Sequence, residues 1–248
     1  MRLIPAPSPN FNDRPREPDM VVLHYTGMTD GASALARLRD PQAQVSAHYV
    51  VEEDGRVFAL VDEDRRAWHA GVSFWRGERD INGCSIGIEI VNPGHEFGYR
   101  DFPDVQIEAV TALLDDIRRR WTIPDSRILG HSDVAPDRKQ DPGERFPWRR
   151  LAQAGHGLWV EPNPLSGDEV GDGHTGEEVR RVQTDLSRLG YEQDVSGRFD
   201  AAMRARVVAF QRHWVQVRVD GTADGLTRAR IEALAALPLD ASPSTPQP

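Results

Sequence analysis

Cysteine is almost missing from this 248-residue chain. Cys84 stands alone, so no intramolecular disulfide can form, and a reducing compartment is compatible with the sequence. Long apolar runs are missing too, since no stretch approaches the roughly 18 consecutive apolar residues that a membrane span requires. Prolines at 5, 7 and 9 interrupt the N-terminus before the apolar core of a signal peptide, roughly 7–15 residues, could form. The sequence therefore predicts a cytoplasmic location if Met1 is native, and a periplasmic one if an export signal has been trimmed. Blocks of Lys or Arg are also lacking, and the formal charge of −9 is spread along the chain. That excludes the positive stripe needed to track a phosphate backbone, so nucleic acid is not an expected partner.

What is present divides into five stretches. Residues 1–18 read as an extended, proline-rich arm. From 19 to 154, short β-rich runs alternate with amphipathic helices, predicting an α/β domain with a central mixed β-sheet flanked by helices. Strands are expected at Met20–Tyr25, Val45–Val51, Arg56–Val61, Cys84–Val91 and Arg127–Leu129, with Asp54-Gly55 turning the second into the third. Val105, Ala109, Val110, Leu113, Leu114, Ile117 and Trp121 recur at three- and four-residue steps and predict a helix over Asp104–Trp121. Gly, Pro, Asn, Asp and Ser dominate 155–175, which reads as a linker. A small all-α domain is expected over 176–237, followed by a disordered tail over 238–248. The helical domain carries an internal repeat: Val179, Val182, Gln183 and Leu186 recur as Val207, Phe210, Gln211 and Trp214, while Gly197, Asp200 and Arg206 recur as Gly221, Asp224 and Arg230.

Two segments hold the residue types that chemistry needs. His24 ends the run Val21-Val22-Leu23, and His131 follows Leu129-Gly130, with Asp141 ten residues further in a loop bounded by Pro142 and Gly143. Two imidazoles and a carboxylate suit catalytic zinc, because three protein ligands leave a fourth tetrahedral position open for a water whose pKa the metal lowers to about 7. Spacing alone leaves other readings open. A histidine beside a strand is often structural, Asp141 suits a turn before Pro142, and Glu89 between Ile88 and Ile90 suits the solvent face of a strand.

Read together, the segments resemble the type 2 N-acetylmuramoyl-L-alanine amidases, which share their fold with peptidoglycan recognition proteins. The resemblance rests on Leu-His-Tyr-Thr at 23–26, Val-Ser-Ala-His-Tyr at 45–49, Arg-Ala-Trp-His-Ala-Gly at 66–71 and Ser-Ile-Gly-Ile-Glu-Ile-Val-Asn at 85–92. Gly-His-Ser-Asp-Val-Ala-Pro at 130–136, Arg-Lys-Gln-Asp-Pro-Gly at 138–143 and Phe-Pro-Trp at 146–148 complete it. It implies one zinc ion held by His24, His131 and Asp141, with Glu89 and Lys139 as catalytic side chains and Trp68 and His69 as substrate contacts. His48 is left open between a core and a site role. The C-terminal repeat is similar to the helical peptidoglycan-binding domain appended to wall hydrolases, although Met203 stands where that family usually has threonine. The implied substrate is peptidoglycan or an (anhydro)muropeptide, cut between the lactyl group and L-alanine during cell-wall recycling. A non-catalytic peptidoglycan receptor and a zinc peptidase acting within the stem peptide are the alternatives.

Overall fold

The computed structural model describes residues 1–238; the rest of the expected tail, positions 239–248, lies outside the described residues. In chain order the first elements are β1 (Leu3–Pro5), β2 (Phe11–Asp13), β3 (Met20–Tyr25), α1 (Gly31–Arg39), β4 (Tyr49–Val51), β5 (Val57–Ala59) and β6 (Arg65–Ala67). Next come α2 (Ile81–Cys84), β7 (Ser85–Ile90), α3 (Gly94–Phe97), α4 (Asp104–Arg120), β8 (Ile128–Gly130), α5 (His131–Val134) and α6 (Trp148–Gln153). Three helices close the described chain: α7 (Glu177–Leu189), α8 (Ala201–Trp214) and α9 (Gly225–Ala235).

Six strands form one mixed sheet in the order β1-β5-β4-β7-β3-β8, with β3 parallel to both β7 and β8. Strand alternation gives the sheet two unlike faces. Val21, Leu23, Ile86, Ile88 and Ile90 point to one side and pack on Ile107, Val110, Leu113 and Ile117 of α4. Their neighbours Met20, Val22 and His24 on β3, and Ser85, Gly87 and Glu89 on β7, point to the other. Gln106 fixes α4 to the strand ends by donating to the carbonyls of Val51 (3.1 Å) and Val91 (2.9 Å).

The expected strands are present but several are shorter. The run predicted over Val45–Val51 is regular only from Tyr49, because the His48 ring enters the ladder and its Nδ1 accepts the Gly87 amide at 2.9 Å. The N-terminal arm is not free. β1 pairs in parallel with β5 at the sheet edge, and β2 pairs antiparallel with β6.

The repeat of the helical module is visible as a duplicated hydrogen-bond clasp. Gln183 on α7 accepts the Gly197 amide at 2.7 Å and donates to the Arg198 carbonyl at 3.0 Å. Gln211 on α8 does the same with Gly221 at 2.8 Å and the Thr222 carbonyl at 2.8 Å. Asp200 and Asp224 cap the next helices by accepting from the amides of Met203 and Thr227. In the second copy the Gln211 amide also reaches the Thr227 hydroxyl at 3.3 Å, a bond that Met203 cannot offer Gln183 in the first.

The segment read as a linker has no helix or strand, yet it is fixed to the module. Val170 bridges to Ala223, Thr175 bridges to Arg198, and the Leu165 amide donates to Gly225. The module's own core continues without a break into the α/β domain, joining Val182, Tyr191, Phe210 and Trp214 to Met20, Val22, Trp75 and Val134. Part of the sheet face opposite α4 is thereby covered, and the part carrying His24 and Glu89 opens into a cavity.

Candidate active site

His24, Glu89, His131, Lys139 and Asp141 line one cavity of about 370 Å³, which Trp68 and His69 also border. Each element supplies its residue for a local reason. His24 and Glu89 are register partners on the adjacent parallel strands β3 and β7, so alternation turns both to the same face. His131 opens α5 directly after β8, and the loop that follows returns Asp141, whose carbonyl accepts the Ser132 amide at 2.9 Å.

The three candidate ligands converge on one point. His24 Nδ1 and His131 Nδ1 are 2.9 Å apart, and Asp141 Oδ2 lies 2.9 Å from the first and 3.0 Å from the second. The hydrogen bonds behind the rings decide which protons are present. His131 Nε2 faces the Ala70 carbonyl at 3.0 Å, so that nitrogen donates and Nδ1 keeps a lone pair. On the other side, the Ser85 hydroxyl donates to the Ile81 carbonyl at 2.5 Å, which leaves its oxygen to accept from His69 Nε2 at 3.3 Å. His69 Nδ1 then accepts from His24 Nε2 at 3.1 Å, and His24 Nδ1 also keeps a lone pair. Three lone-pair donors therefore meet with no proton between them. This is a repulsive arrangement by itself and a fitting one for a cation; among the described residues these three form the one cluster that could hold a metal ion.

The electrostatics show how strongly the three groups act on one another. Burial, assisted by His131, lowers the His24 pKa to about 4. Burial alone would raise the Asp141 carboxyl, but charge and hydrogen bonding from His131 and His24 outweigh it and hold it well below the usual carboxylate range, a pull that calls for a proton or a cation where the three meet. Glu89 is the opposite case. Burial pushes its carboxyl well above the usual range, the Asp141 charge pushes in the same direction, and its Oε2 is buried without a hydrogen-bond partner. Lys139, half-buried, forms no ion pair among the described residues. It is also the single lysine of a chain whose other basic side chains are arginines. That compositional oddity is a pointer to the site legible in the sequence itself.

The structure adds to the sequence reading of three residues. His69, read beside Trp68 as a substrate contact, borders the cavity with it and also stands behind His24 with both ring nitrogens engaged, so it orients a ligand. Trp68 remains on the cavity wall, its indole donating to Asn12 Oδ1 of the N-terminal arm at 2.7 Å. His48, left open in the sequence, is fully buried between Gly87, Arg14 and Arg65, and burial lowers its pKa to about 3. Asn82, which sequence reasoning missed, accepts the amides of His69 (3.0 Å) and Ala70 (2.8 Å) and so fixes the segment behind both histidines. No local pattern marks it.

Gly87 is the position where the site needs a missing side chain. A Cβ there would lie 2.4 Å from His69 Cγ. Gly87→Ala is expected to displace the His69 ring, cost about 1–3 kcal/mol of stability and weaken metal binding. Urea unfolding and zinc titration check this, and unchanged values for both would show that the ring can shift without consequence.

The buried histidines also set a pH dependence. A histidine whose folded pKa is depressed stabilises the fold fully above its unfolded value near 6.5, and that contribution is lost as pH falls towards the folded value. For His24 and His48 the window runs from about 6.5 down to about 4 and about 3. Glu89 acts in the opposite sense, so the measurement belongs in metal-free Glu89→Gln protein. Burial also holds His69 well below its ordinary value, so the unfolding free energy should drop by about 3 kcal/mol between pH 6 and pH 5; a flat profile would mean that these histidines are charged in the fold.

Comparison with known proteins follows the same division of the chain. Residues 14–144 match the N-acetylmuramoyl-L-alanine amidase family, and residues 175–231 match a peptidoglycan binding domain family. The chain is 37% identical over 230 residues to N-acetylmuramoyl-L-alanine amidase AmiD of Escherichia coli, covering 87% of this chain and 81% of AmiD. It is also 37% identical over 169 residues to 1,6-anhydro-N-acetylmuramyl-L-alanine amidase AmpD of Escherichia coli, covering 59% of this chain and 88% of AmpD. The structure of AmiD in complex with the substrate anhydro-N-acetylmuramic acid-L-Ala-D-gamma-Glu-L-Lys superposes with a TM-score of 0.77 at 36% identity, over 88% of this chain and 89% of that one. AmpDh3 of Pseudomonas aeruginosa in complex with anhydromuramic pentapeptide gives 0.72 at 30% identity, over 88% and 91%. With the matched segment spanning five of the six sheet strands and the converging donors, and a relative aligned over 87% of the chain, this chain belongs to the N-acetylmuramoyl-L-alanine amidase family.

Proposed function

We propose that the chain is a zinc-dependent N-acetylmuramoyl-L-alanine amidase that hydrolyses the lactyl-L-alanine amide of anhydromuropeptides, in the recycling of cell-wall fragments. The observation that carries this reading is the meeting of three unprotonated donors, His24, His131 and Asp141, in a cavity shared with a partnerless glutamate and the single lysine. A zinc ion held there would acidify a water and polarise the carbonyl under attack. Glu89, its carboxyl held above the usual range by burial, takes the proton from the attacking water and passes it to the leaving amine. Lys139 donates to the oxygen on which negative charge develops. His69 keeps His24 in the tautomer that presents Nδ1, and the Ala70 carbonyl does the same for His131. The anhydromuramyl peptides named with AmiD and AmpDh3 support the choice of substrate class. The presence of Glu89 and Lys139 beside the donors favours catalysis over a receptor.

Mass spectrometry of products from a purified anhydromuropeptide tests the proposal, with zinc-loaded protein beside a chelated control. Release of the intact L-alanyl peptide and the free anhydro-sugar, lost on chelation, is the expected result. Fragments cut within the stem peptide would replace this reading by a peptidase, and binding without turnover would replace it by a receptor.

A further inference from the structure

The segment 131–146 carries His131, Lys139 and Asp141, yet beyond the four residues of α5 it has no helix or strand to hold it. Backbone bonds such as Ser132 to Asp141 and Phe74 to Val134 hold parts of it, and side chains fix much of the rest. From the α/β domain, Tyr99 donates its hydroxyl to the Pro142 carbonyl at 2.7 Å. The same domain adds Arg138, which donates to the Val72 carbonyl at 2.9 Å, and His95, which pairs with Glu144 at 3.2 Å. A second set of anchors comes from the helical module. Asp133 is fully buried, and its carboxylate takes the Gly130 amide at 2.7 Å, the Tyr191 hydroxyl at 3.0 Å and His213 Nδ1 at 2.7 Å. Arg206 pairs with Asp137 at 2.6 Å, and Arg212 donates to Gln140 Oε1 at 3.1 Å. Gln216 donates to the carbonyls of Glu144 and Phe146, both at 2.6 Å. These contacts lie on both sides of Lys139 and Asp141 in the chain. A buried carboxylate needs its donors, and two of the three serving Asp133, two residues from His131, belong to the module.

We propose that the helical module is a structural part of the reaction centre. Tyr191, His213, Arg212 and Gln216 are positioning residues that hold 131–146 so that His131 and Asp141 meet His24 and Lys139 enters the cavity. The inference rests on the metal-site reading above, and it assigns the module a role separate from any contact with the wall.

The test uses the full chain carrying Tyr191→Phe, Arg212→Gln and Gln216→Ala together, which removes anchors and leaves the buried His213 in place. Leu234→Ala, in the module core, serves as a control that loses stability without touching these bonds. Zinc affinity of the triple variant, by competition with a chromogenic chelator, should fall about tenfold or more. Its kcat should fall while KM stays within about twofold, and amide hydrogen exchange over 130–146 should accelerate. Leu234→Ala should show none of these changes. Parental zinc affinity and parental exchange in the triple variant would overturn the proposal. If the parent itself bound no zinc, the metal reading would fail, and the exchange rates over 130–146 would still decide whether the module holds the segment.

Discussion

Glu89→Gln is expected to lower kcat about 10²–10⁴-fold, the usual worth of a general base, with zinc still bound and the fold intact. The carboxylate lies on the sheet face beside His24 but contributes no atom to the converging donors, so its loss removes proton transfer and spares the ligand set. Glutamine keeps the shape and discards the ionisation that burial opposes. The sign of the stability change follows. A carboxyl whose folded pKa is raised must be ionised at a cost once pH exceeds its unfolded value, so the metal-free variant should melt at a higher temperature than the metal-free parent at pH 7. Turnover of an anhydromuropeptide, zinc content by mass spectrometry and thermal unfolding in chelator measure the three quantities. Retained activity would place the base elsewhere; loss of zinc would make Glu89 part of the metal shell.

Asp141→Ala should have the opposite signature, with both metal and activity gone. Loss of a direct ligand should exceed the roughly 10–100-fold penalty of losing an outer partner. The clearest measure is thermal. Zinc at about a thousand times its Kd stabilises a protein that binds it by about 4 kcal/mol, so the parent should gain several degrees on zinc addition and the variant none. Removing Asp141 also leaves His24 Nδ1 and His131 Nδ1 facing each other at 2.9 Å without the carboxylate between them. A variant that still gained stability from zinc would show that the carboxylate is dispensable, and the ligand set proposed here would be wrong.

Much of this was legible because it is written locally. Alternating β-branched runs specify β3 and β7, the three- and four-residue apolar steps specify α4, and the recurrence of Gln183 and Gly197 as Gln211 and Gly221 specifies a duplicated clasp. His24, His131 and Asp141 were recognisable from their runs and from family resemblance. Their protonation was not, because it depends on the path Ile81, Ser85, His69, His24, which joins residues from three elements. The same holds for the N-terminal arm. Nothing around Asn12 announces that it will meet Trp68, since pairing between β2 and β6 is a contact across more than fifty residues with no periodic signal.

The sequence by itself determined which residue types are available, the two faces of the sheet, and the helical module with its repeat, since backbone periodicity and capping act over a few residues. Only the tertiary structure decided that the three donors share one point, that His69 stands behind a ligand as well as on the cavity wall, and that Asp133 receives Tyr191 and His213 from another domain. These are outcomes of side-chain packing between segments distant in sequence, where the burial of a charge fixes which partners must meet.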